Sequence, residues 1–181
     1  LVNGMSVKKQ PLECKKIMAY IPDNPDLYDF MSGIQYLNFI GDVYKVPADL
    51  REKKITEYST DMGITEALAD KVGSYSHGMK QKLAIISALI HAPKLLVLDE
   101  PFVGLDPKAT FTLKEIMHEM CREGTAIFFS THVLDVAEKL CNKVAIVREG
   151  RLITSGTMEE TLRGKTSLEE LFLETVETKE S

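Results

Sequence analysis

Four apolar residues, Leu95 to Leu98, run directly into two adjacent carboxylates, Asp99 and Glu100. An unbroken apolar run bounded by polar residues reads as a buried strand of a parallel sheet. The segments that follow alternate: a helical pattern over Lys108–Arg122, a run Ala126–Phe129, a helical pattern over Val133–Leu140 and a run Val144–Val147. Strands separated by helices of this length form βαβ units, so the spacing predicts an α/β fold with a mostly parallel sheet. In such sheets ligands bind beyond the carboxyl ends of the strands. Asp99 and Glu100 stand at that end.

The N-terminal half follows a different pattern. Asn3-Gly4 reads as a type I′ hairpin tip with only the end of its first strand present, as in a chain that starts part-way through a protein. Ile17 to Ile21 is a short strand stopped by Pro22. From Leu27 to about Val72 the pattern is helical: Ser32 is a natural N-cap, with Ile34, Leu37, Ile40 and Tyr44 on one face. Pro47 opens a second helix that runs to about Met62 and stops at Gly63, and Thr65 caps a short third one. A further helix spans Met79 to His91. Arg148 to Arg151 forms a tight turn into a strand Leu152–Thr154, and Ser167 to Ser181 begins as a short amphipathic helix and ends as a polar tail.

Composition narrows the partners. The net charge of −5, with acids and bases interspersed, argues against nucleic acid. The three cysteines, Cys14, Cys121 and Cys141, are scattered, which fits reduced thiols rather than a metal cluster or disulfide framework. No run approaches the ~18 apolar residues of a membrane span.

Several segments carry chemistry. Acids just past an apolar strand can hold a hydrated Mg²⁺ and orient a water beside a phosphate, or they can form a solvated surface turn. Ser130-Thr131-His132 ends the next strand at the same edge of the sheet. Asp106 can cap the helix that Pro107 starts. Ser76-His77-Gly78 lies before a long helix, where free N–H groups and the helix dipole suit an anion, although an ordinary cap has the same composition.

In this order, the segments resemble the ATP-binding subunits of ABC transporters, most closely those of bacterial exporters. Tyr75–Met79 resembles the signature loop, Leu95–Asp99 the Walker B strand and Glu100 the catalytic carboxylate. Gly104–Asp106 resembles the D-loop, His132 the switch histidine, and Tyr20-Ile21-Pro22-Asp23 the start of the Q-loop. The resemblance implies a P-loop NTPase-type, RecA-like core with an inserted helical subdomain. The layout it implies is a partial core at 1–25, the helical subdomain at 26–78, core again at 79–165, and a C-terminal helix and tail at 166–181. It implies ATP and Mg²⁺ as cofactors, with Asp99 and Asp23 toward the metal, Glu100 and His132 catalytic, and Ser76, Gly78, Asp106 and Asp23 toward the nucleotide. It also implies a membrane-spanning transporter subunit as partner, a second copy arranged head to tail, and a position on the inner face of the cell membrane.

Some residues depart from the family pattern. The phosphate loop G-x-x-x-x-G-K-[ST] is not among these residues; Gly164-Lys165-Thr166 is a decoy, with Glu159 where the first glycine is required. The expectation is that the true loop and its strand precede Leu1–Met5, and that the strand belongs between Ala126–Phe129 and Val144–Val147. Without it, a distorted monomer, a sheet closed across the gap and an intermolecular pairing are all open. The chain by itself is then expected neither to bind ATP tightly nor to hydrolyse it. Asp23 stands where the family has glutamine, and His77 and Met79 replace a Gly and the Gln of LSGGQ. Two other readings are a soluble ABC ATPase outside transport and a non-catalytic fragment that only folds or associates.

Overall fold

The computed structural model describes residues 1–162 and 164–177. Two compact units result, Leu1–Ser130 and Thr131–Ser181.

The first unit is built on three parallel strands, β1 (Met18–Ile21), β2 (Leu95–Asp99) and β3 (Ala126–Ser130), in that spatial order. The register sets Ile21 beside Leu98, Leu98 beside Phe129 and Asp99 beside Ser130. A short helix the sequence does not announce, α1 (Pro11–Lys16), precedes β1. The expected tip at Asn3-Gly4 is present: both residues have positive φ, and Val2 bridges Met5.

Between β1 and β2 come α2 (Gly33–Val43), α3 (Ala48–Asp61), two 3₁₀ turns (Glu66–Ala69 and Val72–Ser74) and α4 (His77–Leu89). Ser32 starts α2 through a capping box: its hydroxyl accepts from Gln35 N at 3.3 Å, and Gln35 Oε1 accepts from Ser32 N at 2.9 Å. The buried face of α2 is Gly33, Tyr36, Leu37 and Gly41, with Ile40 packed against the core, so the expected stripe holds at Leu37 and Ile40 and turns away at Ile34. Its glycines explain the rotation. A Cβ at Gly33 would collide with Tyr75 Oη, and one at Gly41 with the Arg51 guanidinium, so the helix approaches its neighbours along its small residues. Helix α3 follows Pro47 and stops before Gly63, whose φ is +67°. Thr65 makes no side-chain cap to the first 3₁₀ turn; its hydroxyl instead meets Ser59 Oγ at 3.1 Å.

One face of the sheet carries the core. Ala19, Ile21, Leu96 and Leu98 pack with Leu83, Ile86 and Leu89 of α4 and with Leu113 and Met117 of α5 (Pro107–Arg122). The other face is open, with Tyr20 63% and Phe128 64% exposed. Strand β2 is buried at Leu96 and Leu98 and half-buried at Leu95 and Val97. Strand β3 pairs with β2 alone among the described residues, and β4 pairs with β5.

The second unit contains α6 (Leu134–Leu140), the antiparallel hairpin β4 (Lys143–Arg148) and β5 (Arg151–Thr157), α7 (Met158–Leu162) and α8 (Leu168–Glu177). The turn at Glu149-Gly150 has positive φ at both residues, as the tight hairpin requires. Helix α7 is not legible in the sequence. Leu168 N donates to Glu138 Oε2 at 2.9 Å, which ties α8 to α6. Lys165 pairs with Glu174, and Thr166 donates to Glu170, so Gly164-Lys165-Thr166 serves the start of α8. The end of the expected polar tail, 178–181, lies outside the described residues. Among the described residues no helix is long and apolar enough to cross a membrane.

Gln81 of α4 is 0% exposed, and both polar atoms of its amide are without a hydrogen-bond partner among the described residues. A buried unsatisfied amide costs about 1–3 kcal/mol. Gln81→Met keeps the length of the side chain and removes the polar atoms. The variant is expected to raise the unfolding free energy by about 1–3 kcal/mol, read as a higher denaturant midpoint at unchanged slope.

Candidate functional site

The carboxyl ends of the three strands carry the polar groups. At the tip of β2, Asp99 lies opposite Ser130 in the β-ladder. Ser130 Oγ donates to Asp99 Oδ1 at 2.5 Å and accepts from Glu100 N at 3.3 Å; Ser130 O accepts from the same N–H at 3.2 Å. One serine thus links both acids. Glu100 itself has φ of +45°, a conformation most non-glycine residues avoid and one that clusters at functional sites. The chain turns sharply there, and Val103 N donates to Glu100 O at 3.1 Å. Phe102 anchors the turn by setting its ring edge-on to Phe129 of β3, with centroids 6.0 Å apart. Asp23 follows β1 by two residues and is exposed at the same edge of the sheet.

The glycine-serine segment meets the far end of this loop. Ser76 is the N-cap of α4, its hydroxyl accepting from Met79 N at 3.3 Å. Gly78 sits so close to Gly104 O that a Cβ there would collide with it, and the His77 ring lies where a Cβ on Gly104 would fall. Gly104 has φ of +78°, so glycine is required on both counts. Tyr75 Oη donates to Ala67 O at 2.5 Å and fixes the segment from behind. Asp106 caps α5 as expected, Oδ1 accepting from Ala109 N at 2.9 Å. Its Oδ2 takes Lys82 Nζ of α4 at 2.5 Å. The Lys82 ammonium, helped by the Ala109 amide, holds the Asp106 carboxyl below the usual carboxylate range. His132 belongs to the second unit, exposed, two residues beyond the end of β3.

The first unit therefore brings together Asp99 with Glu100, and Gly78 with the loop that ends in Asp106. Sequence reasoning placed Ser130 at the end of its strand beside His132 without giving it a role, and passed over Lys82. A register estimate would have found the serine, because a polar residue closing a strand beside Asp99 must face it. Nothing in the spacing marks Lys82.

No group of three or more His, Cys, Asp or Glu side chains among the described residues could hold a metal ion. Mg²⁺ keeps several waters and takes one or two carboxylates together with substrate phosphates. The donor set at Asp99 and Glu100 fits an ion held in that way.

A parallel sheet with acids at its strand tips and a serine-glycine helix start beside them is the frame of a P-loop NTPase. Residues 21–134 match the family described as "AAA domain, putative AbiEii toxin, Type IV TA system". The ABC-type transporter ATP-binding protein EcsA of Bacillus subtilis is 32% identical over 178 residues, covering 96% of this chain and 72% of that protein. An uncharacterized ABC transporter ATP-binding protein of Nostoc is 35% identical over 158 residues, covering 84% of this chain and 47% of that one. A solved ATP-binding subunit of an ABC transporter superposes with a TM-score of 0.90 at 32% identity, covering 95% of this chain and 73% of the other. The chain belongs to the family of ABC transporter ATP-binding proteins. It spans about half the length of several curated relatives it matches.

The Asp106 shift fixes a pH dependence. A depressed folded-state pKa stabilises the fold above the ordinary carboxylate value of about 3.9 and stops doing so as pH falls through the lower folded value. Asp106→Asn is expected to be less stable than the wild type at pH 7. The difference should shrink below about pH 4, read from denaturant midpoints at the two pH values.

Proposed function

We propose that this chain is part of the ATP-hydrolysing subunit of an ABC transporter that drives export of a substrate, working on the inner face of a cell membrane. The observation that carries the reading is the Asp99–Ser130–Glu100 cluster at the tips of two parallel strands. The layout of core at 1–25 and 79–165, helical subdomain at 26–78 and C-terminal element at 166–181 belongs to the same reading. Resemblance of the helical insert and C-terminal helix to exporter ATPases supports the direction of transport.

Two copies would enclose ATP head to tail. Asp99 would hold Mg²⁺ through water, with Asp23 at the Q-loop position as a second acid toward it; the ion would neutralise charge on the phosphate oxygens. Glu100 acts as the general base: it orients the attacking water and takes its proton. Its strained backbone, held by the two Ser130 hydrogen bonds to Glu100 N, fixes the position of the residue in advance. His132 contacts the γ-phosphate. Ser76 and Gly78 hold the same phosphate from the opposite copy, where the N-terminus of α4 offers N–H groups and a positive dipole end. Asp106 links the two sites.

A membrane-spanning subunit would dock beside the loop that follows Asp23. Tyr28 lies tilted against Phe30 and edge-on to Phe39, with centroids 5.8 and 5.7 Å apart, and Phe30 is 69% exposed. Contiguous exposed aromatics of this kind mark contact surfaces.

In a full-length protein that carries a phosphate loop, Glu100→Gln is expected to lower turnover by about 10²–10⁴-fold, the usual contribution of a general base, while nucleotide binding persists. Steady-state hydrolysis and equilibrium nucleotide binding, measured on one preparation, decide it; hydrolysis that survives the substitution removes Glu100 from the base role.

The 181 residues alone lack the phosphate loop's N–H groups and lysine, whose hydrogen bonds to charged phosphate contribute about 1.5–3 kcal/mol each. The isolated chain is expected to show no thermal shift with Mg-ATP, in contrast to a protein extended by that loop. Micromolar affinity in calorimetry on the isolated chain would overturn this.

A further inference from the structure

The first two turns of α4 are held from two directions. Lys80 Nζ reaches Asp29 Oδ1 at 2.7 Å, and Lys82 Nζ reaches Asp106 Oδ2 at 2.5 Å. Residues two apart on a helix point about 200° apart, so the two ion pairs leave the helix on opposite sides.

Each pair ends on a loop that is itself well tied. Asp29 O accepts from Gly73 N at 3.1 Å, Phe30 O from Lys71 Nζ at 2.7 Å and Met31 O from Val72 N at 2.9 Å. The segment at 28–31 is thus fastened to the chain that leads into the signature loop. It also carries Tyr28 and Phe30 of the exposed aromatic cluster. On the other side, Asp106 is fixed by Ala109 N, and the loop behind it is pressed by Gly78 against Gly104 and anchored by Phe102 on Phe129. That loop begins at Glu100.

Exposed ion pairs add little to global stability. What these two define is direction. Lys80 is three-quarters buried and the Lys82 side chain is 12% exposed, so neither ammonium swings freely. With Gly78 already in backbone contact with Gly104, α4 cannot shift along its axis without moving the turn that holds Glu100.

We infer that Lys80 and Lys82 are positioning residues. They make the start of α4 a strut between the aromatic loop at 28–31 and the acid-bearing loop at 100–106, so that displacement of the first is transmitted to the second. The inference rests on the reading of Glu100 as the reacting acid, but its physical content, coupling of two loops through α4, is separate.

Amide hydrogen exchange on this chain tests the coupling without nucleotide. Lys80→Met and Asp29→Asn remove the pair on the aromatic side and touch nothing in the acid loop. Each is expected to speed exchange at Val103 and Ala109 on the order of three- to tenfold, with Lys80→Arg restoring the wild-type rate. Faster exchange confined to 28–33 and 71–73 would overturn the strut. In a full-length protein with a phosphate loop, Lys80→Met is expected to lower kcat at unchanged KM for ATP, with Lys80→Arg again restoring it; an unaltered kcat would also overturn it. A wild-type protein that fails to hydrolyse ATP defeats the reading of the site, and the exchange comparison then still decides the coupling.

Discussion

The site depends on the parallel register between β2 and β3. Because Asp99 falls opposite Ser130, one hydroxyl can donate to the first acid while the same residue receives the backbone N–H of the second. A slip of one residue would turn every side chain of β3 to the other face and carry Ser130 away from the acids. Hydrophobic packing enforces the register: Leu98 and Phe129 lie side by side on the core face, one residue before Asp99 and Ser130. Burial of apolar groups, which has no directional chemistry of its own, is thereby converted into placement of polar groups to within a hydrogen bond.

Glycines do comparable work at the other end of the loop. Gly78 and Gly104 permit backbone contact between the start of α4 and the turn that follows the acids. The segment that resembles the family signature keeps this contact: His77 and Met79 stand where that motif has glycine and glutamine, yet the His77 ring is accommodated over Gly104, which has no side chain. Ser76 retains its capping role, so the N–H groups of the first turn keep their direction. The departures from the family motif therefore fall on positions the local geometry tolerates.

Much of this was legible in the residues because the signals were local. Asp106 before Pro107, Ser32 ahead of the helical run, and Asn3-Gly4 each define a cap or turn within a few residues, and each is observed. The strands of the α/β core follow from apolar runs at βαβ spacing, with ends shifted by a residue or so. What was not legible is tertiary. The face that α2 buries is set by where Arg51 and Tyr75 find room beside Gly41 and Gly33, which periodicity does not record. The short helices α1 and α7 have too few residues for a periodic pattern. Ser130 and Lys82 acquire their roles only through partners 31 and 24 residues away in sequence.

Among the described residues, one face of the three-stranded sheet carries the packing. Parallel strands are ordinarily covered on both sides, but here Ala19, Ile21, Leu96 and Leu98 supply the buried contacts while Tyr20 and Phe128 stand in solvent. Burying a large apolar side chain is worth about 1.5–3 kcal/mol, so the hydrophobic gain from the strands comes almost wholly from one layer of side chains. The residues at the strand tips contribute little to that layer: Asp99 and Glu100 are half-buried, and Ser130 and Asp106 are exposed. Their arrangement therefore rests on the covered face beneath them.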